Sequence, residues 1–155
     1  MDVGIQQLWR VLYPGDETPR WSPQCSLNET VHRVDETTDV VYTVSNSIGP
    51  ISSRDFVSVR QIAIRRGCYF SASMSTNTTL KPEQPGKVRA ENGPCGYKLE
   101  PVNSNRTKLL LIINSDLKGW LPQGVVDQSV SSAQLTSIQK LQAYLSQLGV
   151  EGIRQ

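Results

Sequence analysis

The stretch "SSRDFVSVRQIAIRRG", residues 52–67, decides the fold. In an extended chain side chains alternate between two faces, so Phe56, Ser58, Arg60, Ile62 and Ile64 share one face. The segment reads as a long strand, and the pair Arg65-Arg66 marks its end at water. An inward Phe56 carries Arg60 inward with it. A buried guanidinium costs several kcal/mol unless it is paired or hydrated, in effective terms roughly the size of a large core mutation. Arg60 is therefore either a surface residue on an edge strand or part of a polar site inside the protein.

The next segment, 68–76, alternates cleanly, with Cys68, Phe70, Ala72 and Met74 on one face and Tyr69, Ser71, Ser73 and Ser75 on the other. One face of it is expected to meet an interior, and the apolar set ending in Met74 is the natural choice. Upstream, 27–34 and 39–45 have strand character around the turn-like Asp35-Glu36-Thr37-Thr38, which predicts a hairpin. Residues 46–53, NSIGPISS, combine turn residues with two isoleucines and read as a loop that buries something, as a lid does. Residues 4–12 have helical spacing ended by Pro14-Gly15, and 16–26 read as a loop.

Downstream, 77–86 is a proline-containing connection, and 87–92 and 96–101 are strand pieces around Gly93-Pro94. Residues 106–115, RTKLLLIINS, are apolar on both faces, as expected of a central strand. From Pro122 to Leu148 the chain predicts one amphipathic helix of about 40 Å, with Val126, Val130, Ala133, Leu141, Leu145 and Leu148 on one stripe and Gly149 placed as its cap. The order of elements predicts an α+β fold in which a curved antiparallel sheet grips a long C-terminal helix.

Composition narrows the function. A chain of 155 residues, 37% apolar, suits one domain with one core. A net charge of +2, without clustering, argues against nucleic acid. The three cysteines are odd in number and lack CxxC spacing, which argues against a zinc site and a disulfide framework and predicts reduced thiols in the cytosol. No leader pattern and no apolar window of about 18 residues is present. The sequons at Asn28, Asn77 and Asn105 are read as chance matches. One histidine, His32, and the absence of nucleophile-elbow, zincin, P-loop and dinucleotide motifs argue against an enzyme. Asp116 reads as a turn or cap residue, and no cofactor or metal is expected.

Three motifs, "RDFVSVR" (54–60), "VRAENGP" (88–94) and "DLKGWLP" (116–122), stand in an order and spacing that resemble the START (steroidogenic acute regulatory protein-related lipid transfer) family, in particular its cholesterol-carrier subgroup. The similarity runs from about Gln7 to Leu148. It implies a helix-grip fold whose sheet and C-terminal helix enclose one apolar tunnel for a single lipid. Residues 1–155 are then one START-like domain lacking the family's first helix and first three strands.

The resemblance also implies a site. In the resembled carriers an acidic residue on the preceding strand balances the arginine, and this chain has Thr43 at that position. A hydroxyl accepts a hydrogen bond but does not neutralise charge. Arg60 is accordingly expected to keep ordered water that receives a ligand hydroxyl. Phe56, Ser58, Met74, Val126 and Val130 complete the wall. Asn92 stands where the subgroup has histidine, Leu111 where it has tryptophan and Ser137 where it has phenylalanine, while Leu117, Leu141 and Leu145 fall at leucine-like cavity sites. Smaller side chains at the two aromatic positions imply a wider pocket or a different ligand.

The function so implied is binding and intracellular transfer of one lipid, cholesterol or another sterol, gated by loop 46–53 and the C-terminal helix. A lipid-sensing regulatory module and a non-functional truncated product are the alternatives. The expected partners are a sterol or other lipid ligand and, transiently, a membrane surface, with the protein a cytoplasmic monomer peripherally associated with a mitochondrial or endosomal membrane. Trp120 is expected to pack in the core rather than anchor at that surface.

Overall fold

The computed structural model describes residues 1–152. Strand β3 (Arg54–Arg65), which contains the deciding stretch, is the longest in the molecule. It lies antiparallel between β2 (Thr38–Ser45) and β4 (Cys68–Ser75). Flanked by β1 (Cys25–Arg33) on one side and by β7 (Cys95–Asn103) and β8 (Arg106–Ile112) on the other, these strands form one sheet ordered β1-β2-β3-β4-β7-β8. The short β5 (Val88–Arg89) joins it parallel to the start of β3. A separate two-residue ladder pairs β6 (Glu91–Asn92) with β9 (Ser115–Asp116). Among the described residues three helices complete the fold: α1 (Ile5–Leu12), α2 (Thr18–Trp21) and α3 (Gln123–Gly152).

Local sequence sets the corners. Asp35 accepts hydrogen bonds from the backbone N–H and the hydroxyl of Thr37, closing the β1–β2 hairpin. The β3–β4 turn is the two-residue Arg66-Gly67, both at positive φ, the conformation whose twist suits a tight hairpin. Gly96 faces Ala72 so closely that a Cβ there would lie 2.0 Å from the Ser71 carbonyl oxygen, so only glycine lets β4 and β7 pair.

Both faces of the sheet are covered in part, by different means. On the convex face Val40, Tyr42, Val44 and Val57 form a small core. Fully buried Asp55 ties it to the 77–90 segment: Arg89 donates to both its oxygens at 2.9 and 3.0 Å, and the Tyr42 hydroxyl donates at 2.9 Å. On the concave face α3, about 45 Å long, buries Ala133, Ser137, Leu141 and Leu145 at every fourth residue. Leu141 and Leu145 pack with Leu8 and Val11 of α1 and Leu99 of β7 into the main core.

Five sequence expectations change. The 16–26 loop holds α2, whose start is set by Thr18-Pro19. The 87–92 piece splits into β5 and β6, because its chain leaves the sheet after Arg89. Gly149 does not cap α3, which continues to Gly152. Segment 106–115 is an edge strand, not a central one; nothing lies beyond β8 among the described residues, and Leu110 and Ile112 are 52% and 59% exposed. In β4 the inward face is the tyrosine-serine set. Ser71 is buried while Met74 is exposed, because the register with β3 puts Ser73 opposite inward Arg60 and Ser75 opposite inward Ser58.

Two stability outcomes follow. Leu99→Ala, at a fully buried position, should cost about 2–5 kcal/mol in urea unfolding. Burial raises the Asp55 carboxyl, but the Arg89 and Tyr42 hydrogen bonds outweigh it and hold it below the usual carboxylate range. Its stabilising contribution is thus full above the unfolded value near 4, roughly that of a free aspartate, and is lost as pH falls through the lower folded value. Asp55→Asn should flatten the fall of unfolding free energy between about pH 4 and pH 2 relative to the parent. Parallel curves would exclude this linkage.

Candidate functional site

Between the concave face and the N-terminal half of α3 the molecule is hollow. Two contiguous, partly open chambers of about 500 and 310 Å³ lie there, with Gln24, Thr43, Asn92, Ile113 and Gln134 lining both. The larger chamber lies under Val126, Val130 and Ala133 of α3 and has Ile48 and Ile51 of loop 46–53 at its wall. The smaller runs across the sheet from Asn28 on β1 to Tyr97 on β7 and meets α3 at Ser137. The leucine core closes the hollow toward α1.

Strand parity delivers the side chains. Thr43 pairs with Phe56, Val41 with Ser58 and Asp39 with Arg60, so six inward positions of β2 and β3 form three facing rungs. Arg60 is buried, and Asp39 stands directly across the ladder: Nε donates to Oδ1 at 2.9 Å and Nη2 to Oδ2 at 2.6 Å. Nη1 donates to the Pro14 carbonyl, and the guanidinium lies 4.7 Å over the Tyr13 ring. The expectation that Arg60 lacks an acidic partner is overturned. The carboxylate comes from Asp39, four residues before Thr43, while Thr43 faces Phe56.

Of the thirteen positions singled out from the sequence, Thr43, Phe56, Asn92, Leu117, Val126 and Val130 line the larger chamber. Ser58, Arg60, Leu111 and Ser137 line the smaller. Three do not reach the hollow. Met74 is on the convex side, beside the 77–90 segment, because its strand presents serines inward. Leu141 and Leu145 are spent in the core against Leu8 and Leu99.

Sequence reading missed Trp21, Gln24, Asn28 and Tyr97 on the walls. Asn28 and Tyr97 carried a usable signal, since each lies on a predicted strand. Trp21 and Gln24 sit in and after a four-residue helix that had no detectable period. Arg54 was also missed, although it has the parity of Phe56 and Arg60. It is buried and donates to the carbonyls of Leu117, Lys118 and Ser52, at 2.9, 3.1 and 2.7 Å. One guanidinium thereby fastens the base of loop 46–53 to the segment that leads into α3.

The site offers little to covalent chemistry. Cys25, the buried thiol, is pushed up to about 11 by burial, and His32 is exposed on β1. Among the described residues no cluster of His, Cys, Asp or Glu is arranged to hold a metal. Among the described residues no helix is long and apolar enough to cross a membrane.

Comparison with known proteins gives concordant matches. The START domain matches residues 8–150. The zebrafish (Danio rerio) protein named steroidogenic acute regulatory protein, mitochondrial, is 33% identical over 133 residues, covering 81% of this chain and 46% of that protein. The human (Homo sapiens) protein of the same name is 33% identical over 143 residues, covering 87% and 49%. The chain thus spans less than half the length of these relatives. Among solved structures, human StAR-related lipid transfer protein 5 superposes with a TM-score of 0.92 at 28% identity, covering 96% of this chain and 73% of that one.

The buried pair makes a sharp test. Asp39→Ala strands the Arg60 guanidinium and should cost about 3–5 kcal/mol, whereas the double change Asp39→Val with Arg60→Leu should recover most of that loss. Equal destabilisation by the single and double variants, measured by denaturant unfolding, would show that the two side chains are not coupled.

Proposed function

The chain belongs to the START domain family, and from that membership we propose that it binds one lipid in the hollow between sheet and α3 and carries it between membranes. The observation that supports this most is the pair of contiguous chambers walled by both polar and apolar side chains. Each falls within the roughly 300–1,000 Å³ of small-molecule sites. A sterol is the favoured cargo, because the named relatives are steroidogenic regulators. The wall residues of the proposal are Thr43, Phe56, Ser58, Asn92, Leu111, Leu117, Val126, Val130 and Ser137, with Arg60 held back by Asp39. Hydrophobic burial drives loading: covering a few hundred Å² of sterol at about 25 cal/mol per Å² gives on the order of 10 kcal/mol before association costs.

Such a cargo leaves only through a moving wall. Loop 46–53 is the proposed gate, as it bonds to itself through the Ile48–Ile51 bridge and places both isoleucines at the hollow. The membrane side of the cycle is assigned to the same end of the molecule. Trp120, expected in the core, is 91% exposed just before α3. An indole there suits an interfacial belt, where one part of the ring meets lipid and its N–H meets water. The reading is of a non-catalytic, monomeric carrier, peripherally associated with a mitochondrial or endosomal membrane. A lipid-sensing module would share the hollow but would not move lipid between vesicles.

Native mass spectrometry of the protein purified from cells should show one lipid per chain, and a bare chain under conditions that preserve the fold would reject the carrier reading. With Gly49→Cys and Ser129→Cys, oxidation should slow sterol transfer between vesicles and a reductant should restore it. A Cβ at position 49 would lie only 3.8 Å from the Ser129 hydroxyl, so the bridge is within reach. Identical rates in both redox states would reject the gate. Trp120→Ala should weaken vesicle binding and transfer without changing the melting temperature.

A further inference from the structure

The smaller chamber holds an unusual set of groups. Four side-chain polar atoms are sealed from solvent without a hydrogen-bond partner among the described residues: Trp21 Nε1, Asn28 Oδ1, Ser58 Oγ and Tyr97 OH. All four residues line that one chamber. They come from α2, β1, β3 and β7, so no local irregularity accounts for the set. Ser58 is only 4% exposed. Buried polar groups in folded proteins are overwhelmingly paired, so several orphans converging on one hollow point to something that fills it.

The neighbouring polar groups are already committed. Ser137 donates to the Gln24 side-chain oxygen and lies 3.2 Å from the Ser22 hydroxyl. Arg60 is engaged by Asp39, Pro14 and Thr30. The guanidinium that the sequence suggested as an anchor is thus occupied, and the open hydrogen-bonding capacity lies elsewhere on the wall. That capacity is mixed. Trp21 only donates, Asn28 Oδ1 only accepts, and the two hydroxyls do either. Burial pushes the Tyr97 hydroxyl up to about 12 against an opposing interaction with the Ser71 hydroxyl, whose geometry falls short of a hydrogen bond, so it meets a ligand as a neutral group.

Resting on the carrier reading, we propose that the smaller chamber is a polar subsite selecting a sterol-sized lipid that bears at least two oxygen functions, over one that bears a single hydroxyl. One hydroxyl donates once and accepts at most twice, and from one position it does not reach groups spread from β1 to β7. A second oxygen on the buried end of the cargo pairs the groups that the first leaves open. Leaving a buried donor or acceptor unmade is what costs affinity, so discrimination is strongest against the cargo that lacks the second oxygen.

The test is equilibrium binding of the intact chain to cholesterol, 25-hydroxycholesterol and 7,25-dihydroxycholesterol, each displacing the same fluorescent sterol. The dihydroxylated sterol should bind at least about tenfold more tightly than cholesterol, as expected for one additional buried hydrogen bond. Ser58→Val and Trp21→Phe should each pull that ratio toward one, with thermal melting confirming a folded protein. Cholesterol binding as tightly as its hydroxylated forms would overturn the polar subsite, since water would then satisfy the orphan groups equally well, and would leave the carrier reading standing. Failure of any sterol or extracted lipid to bind would overturn both.

Discussion

The structure depends on how a charge is kept inside a hollow. Arg60 lies on the concave face because β3 must bury Phe56, and strand parity gives the two residues one direction. A guanidinium there is tolerable only with a carboxylate at hydrogen-bond range, and Asp39 supplies it from the facing rung of β2. With the charge neutralised and braced by the Tyr13 ring and the Pro14 carbonyl, the centre of the sheet carries polar groups inward without collapsing around them. The pair also bonds β3 to the chain between α1 and α2, so the same interaction fixes one wall of the smaller chamber.

Helix α3 does two unlike jobs with one stripe. Its C-terminal half uses Leu141 and Leu145 to form a close-packed core with Leu8 and Leu99. Its N-terminal half presents Val126, Val130 and Ala133, spaced by four and three residues, to a space that the protein leaves empty. The difference lies across from the helix rather than in it. Large leucines on α1 and β7 fill the gap at one end, whereas threonine, serine and asparagine on β1–β4 are too small to fill it at the other. The packed core and the hollow are thereby separated along a single element, and under the proposed carrier reading the end over the hollow could lift while the core end stays packed.

The parts of the fold that repeat were legible in the sequence. The long strand, the β1–β2 hairpin and α1 follow from alternation, turn chemistry and helical spacing. The inward direction of Phe56 and Ser58 followed from the same parity that carried Arg60. Less legible was whatever depended on neighbours. Segment 68–75 shows two clean faces, and hydrophobicity favours the one ending in Met74, yet the register with β3 turns the serines inward. A hollow lined by serine, threonine and asparagine inverts the usual rule that apolar residues mark the inside. Thr43 was taken as the partner position of Arg60, but the ladder sets it against Phe56 and leaves the charge to Asp39. That is an error of two rungs, and it arises because β2 and β3 are joined by the long loop 46–53 rather than a tight turn, so no turn chemistry in the sequence fixes the register that the two strands adopt.

Where the molecule can open is also set by this arrangement. Arg54 binds the base of loop 46–53 and the Leu117–Lys118 backbone to one guanidinium, so the loop tip is free to swing while its root is held. Among the described residues the tip's backbone bonds join Ile48 and Ile51, while Asn46 at the loop's start is tied to Pro23 and Gln24. Lifting it breaks no ladder of the main sheet and exposes two isoleucines, which is favourable against lipid and unfavourable in water. Under the proposed carrier reading, a gate built this way would be biased shut in solvent and open at a membrane, and the bias would need no separate signal because it would come from the apolar surface of the loop itself.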